Sequence, residues 1–299
     1  MKAKLGIAPI AWTNDDLPEL GGETTLERCL EEARISGFSG IEIGGKFPRK
    51  PEILKPILNR YNISLCGGWY SGTLLRNSID VEKEKIASQM LLFKKLKAPC
   101  IVYGETSYTI QNLKKIPLCQ KRILSEKEII NYGQKLSEFA LWCKNEGMPI
   151  SFHHHMGTVI ETEDELNLLM ENTSEELSLL FDPGHMAFAG GDVNRVLSNH
   201  GKRISHFHAK DVRNDVIKNL DRNGDSFLDA VLKGAFTVPG DGSLNFKNIV
   251  NKLYSLKYQG WFVVEAEQDP KKAPPLEYAK KGYNEMKNCL INAGYKIVE

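Results

Sequence analysis

An α/β fold, a single (β/α)8 TIM barrel spanning residues 1–299, is predicted by three observations. Short apolar runs alternate with helix-length amphipathic segments, and the alternation repeats eight times, the number of parallel strands that closes a barrel. No Pro/Ser-rich linker divides the chain. No Gly-rich dinucleotide fingerprint follows the first strand, as an open doubly wound sheet would favour.

The elements follow in order. The first strand is read in the apolar run Leu5 to Ile10. Thr24, with Glu27 three residues later, reads as a capping box for a helix whose apolar face is Leu26, Cys29, Leu30 and Ala33, with Gly37 as its stop. Phe38 to Ile43 is the second strand, carrying Glu42, and Pro51 to Tyr61 the second helix, with Pro51 in its first turn. Ile63 to Cys66 is the third strand and leads into Gly67-Gly68-Trp69-Tyr70. Val81 to Lys97 is a long helix, and Pro99 ends it before the fourth strand, Cys100 to Tyr103. A polar insertion, 104–124, precedes a helix opened by the capping box Ser125 and Glu128.

The fifth strand is Pro149 to His154, and the next helix opens on the box Thr162 and Glu165. Leu177 to Phe181 is the sixth strand, Asp192 to His200 a helix, and Ile204 to His208 the seventh strand. The segment 212–243 is long enough to be a functional lid, with a short helix at Phe227 to Leu232. Phe246 to Tyr258 is helical, Trp261 to Ala266 the eighth strand and Leu276 to Ala293 the closing helix.

Composition narrows the class. With 41% hydrophobic and 26% charged residues the chain is globular, and a net charge of +1 with scattered Lys/Arg pairs argues against a nucleic-acid partner. Six cysteines without a CxxC pair, and an N-terminus with no signal-peptide pattern, point to reduced thiols and a cytoplasmic location. No apolar stretch is long enough for a membrane span.

In a barrel, groups at the carboxyl ends of the strands converge on one face. Ligand-type residues gather there. Strand five ends His153-His154-His155, strand six Asp182-Pro183-Gly184-His185, strand seven His206-Phe207-His208 with Lys210-Asp211, and strand eight carries Glu265 and Glu267. Residues two apart share a face, so His153 with His155, His206 with His208, and Glu265 with Glu267 point together, and His154 points away. Burying so many ionisable groups side by side calls for a compensating charge, and a divalent cation supplies it. A hydrogen-bonded polar plug is the alternative. Nitrogen and oxygen ligands without thiolate suit Mn²⁺, Co²⁺, Zn²⁺ or Fe²⁺.

The motifs D-P-G-H, H-F-H-A-K-D, V-P-G-D-G-S-L-N-F and G-W-F-V-V-E resemble the xylose isomerase-like barrel superfamily of sugar isomerases, epimerases and type IV endonucleases. The N-terminal K-L-G-I-A-P-I-A-W-T-N-D-D-L-P-E-L-G-G, G-G-K-F-P, H-H-H-M-G-T and V-V-E-A-E-Q-D-P narrow the resemblance to the inosose dehydratase family. It implies a metal-dependent lyase that removes water from 2-keto-myo-inositol, giving a trihydroxycyclohexane-dione in myo-inositol breakdown. Metal in that superfamily is held by Glu, Asp, His and Glu of strands five to eight. Asp182, His206 and Glu265 match the last three, and His153 stands where the first Glu is usual.

The metal set implied is therefore Asp182, His206, Glu265 and His153, with Mn²⁺ or Co²⁺ as the ion. Proton transfer falls to Glu265, Glu267, His155 and His185, with Lys210 and Lys46 as groups that polarise substrate oxygens. Trp12, Asn14, Lys46, Trp69 and His208 are the expected substrate contacts. The resemblance alone adds glutathione as a stimulating cofactor. The expected partner is a small polyol or polyketone, with neither nucleic acid nor membrane, and a homo-oligomer is compatible. A metal-dependent sugar isomerase or epimerase, and a non-catalytic polyol-binding protein, are the competing readings.

Overall fold

The computed structural model describes residues 1–299. Its strands are β1 (Lys2–Ile7), β2 (Gly40–Ile43), β3 (Ser64–Gly72), β4 (Ile101–Glu105), β5 (Ile150–His153), β6 (Ser178–Phe181), β7 (Ile204–Ala209) and β8 (Gly260–Val264). All neighbours pair in parallel, and β8 returns to β1 with Ala3 opposite Gly260 and Ile7 opposite Val264, so the sheet is a closed barrel. A short strand, Lys296–Ile297, lies beside the start of β1.

Eight helices surround the barrel: α1 (Leu26–Ser36), α2 (Pro51–Arg60), α3 (Ile79–Leu96), α4 (Glu126–Asn145), α5 (Glu163–Glu171), α6 (Val193–His200), α7 (Phe246–Ser255) and α8 (Pro275–Ala293). The boxes at Ser125/Glu128 and Thr162/Glu165 form, each side chain accepting from the backbone N–H three residues on. The first helix differs. Its N-cap is Thr25, which accepts from Arg28 N, and not Thr24; the two adjacent threonines are equivalent in pattern, and the turn geometry selects the second. β3 runs six residues beyond Cys66, because Gly67 and Gly68 continue the strand.

The outer faces of the strands and inner faces of the helices share one large apolar cluster, which includes Phe93, Phe139, Phe152, Phe181, Phe207 and Phe262. Inside the barrel, Ala8, Cys66, Trp261 and Val263 form a separate small cluster. The polar groups gather at the carboxyl ends of the strands.

A third cluster lies over that end. It joins Phe227, Leu228 and Val231 of the helix Phe227–Leu232 with Phe236, Val212, Leu118, Met156 and Phe188. The segment 212–243 is thus a packed cap, built on an antiparallel pair, Asp211–Val212 with Phe236–Thr237, and on a further capping box, Ser226 with Asp229. It is tied to the insertion 104–124 by Leu118 N–H to Asp225 O at 2.9 Å, Cys119 N–H to Arg222 O at 3.0 Å and a bridge between Pro117 and Ser226. The buried Asp211 carboxylate accepts from Val212, Gly242 and Leu244 N–H, fixing the turn that follows the cap. No helix is long and apolar enough to cross a membrane.

Candidate active site

Asp182 ends β6 and caps the short helix Pro183–Phe188. Its Oδ1 accepts from Gly184 N at 2.8 Å and His185 N at 3.0 Å, while the fully buried Oδ2 accepts no hydrogen bond. Gly184 is required here because a Cβ would lie 2.7 Å from Cγ of Lys210 and 2.8 Å from its carbonyl oxygen.

Two imidazoles turn toward Asp182 Oδ2. His153 on β5 directs Nδ1 to the carbonyl of His154, leaving Nε2 3.8 Å from that oxygen. His208 Nδ1 is 3.7 Å from Asp182 Oδ2 and in direct contact with Glu265 Oε2 at 2.5 Å. Ligand atoms of His153, Asp182 and His208, all buried, lie within 4.8 Å of one another, an arrangement that a shared cation fits. Asp182, Glu265 and Glu267 surround the ammonium of Lys210, and the first two also face His208. A divalent cation fits this set.

Lys210 is fully buried. Its Nζ lies 2.8 Å from Glu267 Oε1, 3.0 Å from Glu265 Oε1 and 2.8 Å from His185 Nε2. Burial alone would lower its pKa, but Glu265, Glu267 and Asp182 raise it above the ordinary lysine value, so it stays charged. Burial likewise opposes ionisation of Glu267, and Lys210 with His155 overcomes this, bringing it down to about 2. Burial and the neighbouring imidazoles hold His153 well below its ordinary value, and burial does the same to His185.

His155 Nδ1 faces Met156 O at 2.8 Å, and its Nε2 is 3.8 Å from Glu267 Oε1. Its ring packs on His185 at 3.8 Å between centroids and on Phe227 of the cap at 5.3 Å. Trp69 stands across from both, with T-shaped contacts to His153 and His155.

A cavity of about 660 Å³ opens onto this cluster, and Trp69, His153, His155, His208, Glu265 and Glu267 line it. The remaining sequence-predicted residues do not. Asp182, His185 and Lys210 lie behind the lining, as direct supports of it. His206 sits one layer deeper, with Nε2 2.8 Å from Glu42 Oε1, so β7 brings His208 rather than His206 to Asp182 and Glu265. Strand alternation gives both the inward face but not their depth.

Three expected substrate contacts are elsewhere. Trp12 is buried with Nε1 donating to Glu32 at 2.6 Å. Asn14 folds back to accept from Asp16 and Leu17 N–H in an Asx turn. Lys46 is exposed and donates to Gly22 O. His154, the residue after β5, is buried beside Phe181, with ring centroids 5.9 Å apart.

The cavity also contains residues outside the predicted set. Asp16, in the loop after β1, accepts from Gln111 Nε2 at 3.1 Å, and both line the cavity. Burial and the nearby Glu267 raise the Asp16 pKa. Its position in a loop at the carboxyl end of a strand was the available signal. Glu42 is the other, an ionisable residue inside the apolar strand β2. Burial would raise its carboxyl, but His208 and His206 hold it well below its ordinary value.

Comparisons with known proteins bear on this geometry. The family model described as a xylose isomerase-like TIM barrel matches residues 30–289. The rhizopine catabolism protein MocC of Rhizobium meliloti is 46% identical, over 99% of this chain and 91% of its own. The inosose dehydratase of Geobacillus thermodenitrificans is 44% identical, over 94% of this chain and 95% of its own. The solved structure of the IOLI protein with a binding zinc atom shares the fold, with a TM-score of 0.65 at 16% identity over 97% of both chains.

Proposed function

The chain belongs to the xylose isomerase-like TIM barrel family and, within it, to the inosose dehydratases, which are carbon–oxygen lyases; on that premise we propose that it removes water from 2-keto-myo-inositol in a metal-dependent reaction. The observation that carries the proposal is the convergence of buried ligand atoms from His153, Asp182 and His208, with Glu265 against His208, beside a cavity into which His155 also faces.

His153, Asp182, His208 and Glu265 would hold the ion. Two imidazole nitrogens and two carboxylates suit Mn²⁺, Co²⁺, Zn²⁺ or Fe²⁺, and the family resemblance favours Mn²⁺ or Co²⁺. A bound divalent ion acts as a Lewis acid on a substrate oxygen.

The chain's own residues supply the proton chemistry. With its Nδ1 turned to Met156 O, His155 directs Nε2 to the cavity, and that nitrogen takes the proton from the carbon beside the carbonyl. Glu267, held ionised by Lys210, stabilises the imidazolium that results. The same imidazolium returns the proton to the departing hydroxyl. His185 and Lys210 act through Glu267 as positioning residues. Trp69 gives the ring an apolar wall, and Asp16 with Gln111 accepts and donates to hydroxyls across the cavity.

The test is direct. Protein stripped of metal and resupplied with Mn²⁺, Co²⁺ or Zn²⁺ should convert 2-inosose to an ultraviolet-absorbing dione one water lighter. A product of unchanged mass would indicate an isomerase or epimerase, and no product with any of the ions would refute the activity. Metal titration separates the ligands: Asp182→Ala and His208→Ala should lose the ion, whereas His206→Ala should retain a measurable site.

A further inference from the structure

We infer that Glu42 is a positioning residue that fixes the His208 ring with its proton on Nε2, so that Nδ1 is the nitrogen presented to the ion. The inference rests on the reading of His208 as a ligand. Glu42 is buried inside the barrel on β2, one strand beyond the cluster's nearest neighbours, and it touches none of His153, Asp182 or Glu265 by hydrogen bond or ion pair. Its contacts are two imidazoles. His208 Nε2 is 3.2 Å from each of its carboxylate oxygens, and His206 Nε2 is 2.8 Å from Oε1.

A carboxylate only accepts hydrogen bonds, so the nitrogens facing it are donors. An imidazole that ligates an ion has one N–H, and keeping it on Glu42 leaves Nδ1 of His208 as the ligating nitrogen. That nitrogen faces Glu265 Oε2 and Asp182 Oδ2. A carboxylate behind a ligating imidazole orients the ring and increases its basicity.

The local fold is shaped to bring these groups together. Pairing between β2 and β3 shifts register at Glu42, which lies opposite Gly67 after Ile41 has paired with Leu65. Gly67 has φ +157°, and a Cβ there would sit 2.8 Å from Glu42 Oε1 and 3.2 Å from His206 Nε2. The bulge and the missing side chain make room for Glu42 to reach two histidines on the far strand β7.

The same three side chains could instead hold a second ion, since their ligand atoms lie close enough together. The distances favour hydrogen bonds, because the carboxylate oxygens already occupy bonding range of both nitrogens. Stoichiometry distinguishes the two.

The experiment uses the full chain, freed of metal and titrated with Mn²⁺ by calorimetry, as parent, Glu42→Gln, Glu42→Asp and Asp182→Ala. The Zn²⁺-loaded parent, labelled with ¹⁵N-histidine, reports the tautomer by long-range NMR correlations. The inference expects one ion per chain, an Nε2–H tautomer at His208, an affinity about 10- to 100-fold weaker in Glu42→Gln, and partial recovery in Glu42→Asp. An Nδ1–H tautomer in the loaded parent overturns it without any variant. So does parent-like affinity in Glu42→Gln while Asp182→Ala has lost the ion, or two ions in the parent with one lost on Glu42→Gln. Unchanged affinity in Asp182→Ala would instead sink the metal-site reading beneath it.

Discussion

At the scale of the residue, the chemistry divides between groups that face the cavity and groups that hold them. His155→Gln removes the lone pair at Nε2, and kcat should fall by roughly 10²- to 10⁴-fold, while Mn²⁺ affinity measured by calorimetry stays near the parent's. A residue far from the site gives an independent check on the electrostatics. His200, on α6, is held below its ordinary value of 6.5 by burial first and then by Arg203, and its Nε2 lies 2.6 Å from Asn167 Oδ1. The unfolded chain therefore takes up the His200 proton at a higher pH than the folded one. The residue's contribution to stability is present above that ordinary value and is lost as pH falls through the depressed one. Between about pH 7 and 5 the melting temperature of His200→Gln should therefore fall less than that of the parent. Residue types at strand ends were legible from the sequence, as His153, Asp182, Glu265 and Glu267 illustrate. Depth was not. Alternation assigns His206 and His208 to one face, and only the three-dimensional stagger of the strands separates the layer at Glu42 from the layer at Asp182. Trp12, Asn14 and Lys46 were misplaced because local hydrogen bonds to Glu32, to the Asx turn and to Gly22 decide where loop side chains point.

At the scale of the element, caps and turns decide where helices begin and what they carry. Thr162 closes a box with Glu165 in the loop that leaves β5, directly after the histidine run. Thr162→Ala should cost about 1 kcal/mol, measured by urea denaturation. The helix Phe227–Leu232 brings Phe227 against His155 and His185. Phe227→Ala should cost about 3–5 kcal/mol if the cap unfolds together with the barrel, and it should lower kcat more than it weakens Mn²⁺ binding, because it strips packing from His155 while leaving the proposed ligands untouched. Strand and helix periodicity made these elements readable. β3 was read short because a Gly-Gly pair resembles a turn, whereas here it is the place where neighbouring side chains approach the backbone.

At the scale of the whole molecule, closure between β8 and β1 turns eight loops toward one mouth, and the number of alternating segments was enough to foresee it. The cap was foreseen as a segment but not as a packed body, since its apolar residues are spread over 212–243 and meet partners as distant as Leu118 and Phe188. Its apolar cluster is separate from the large one between strands and helices. Amide hydrogen exchange should consequently show two levels of protection, with the residues of 212–243 exchanging faster than the central strands. Equal protection throughout would mean that cap and barrel open only together.

The backbone contacts joining 104–124 to 212–243 have a consequence for traffic into the barrel. Two segments far apart in sequence are fastened to each other, so neither swings aside alone, and that half of the rim is a wall rather than a door. The cavity also reaches Pro9 and Thr13, in the loop after β1, and Arg49, in the loop after β2, outside the fastened pair.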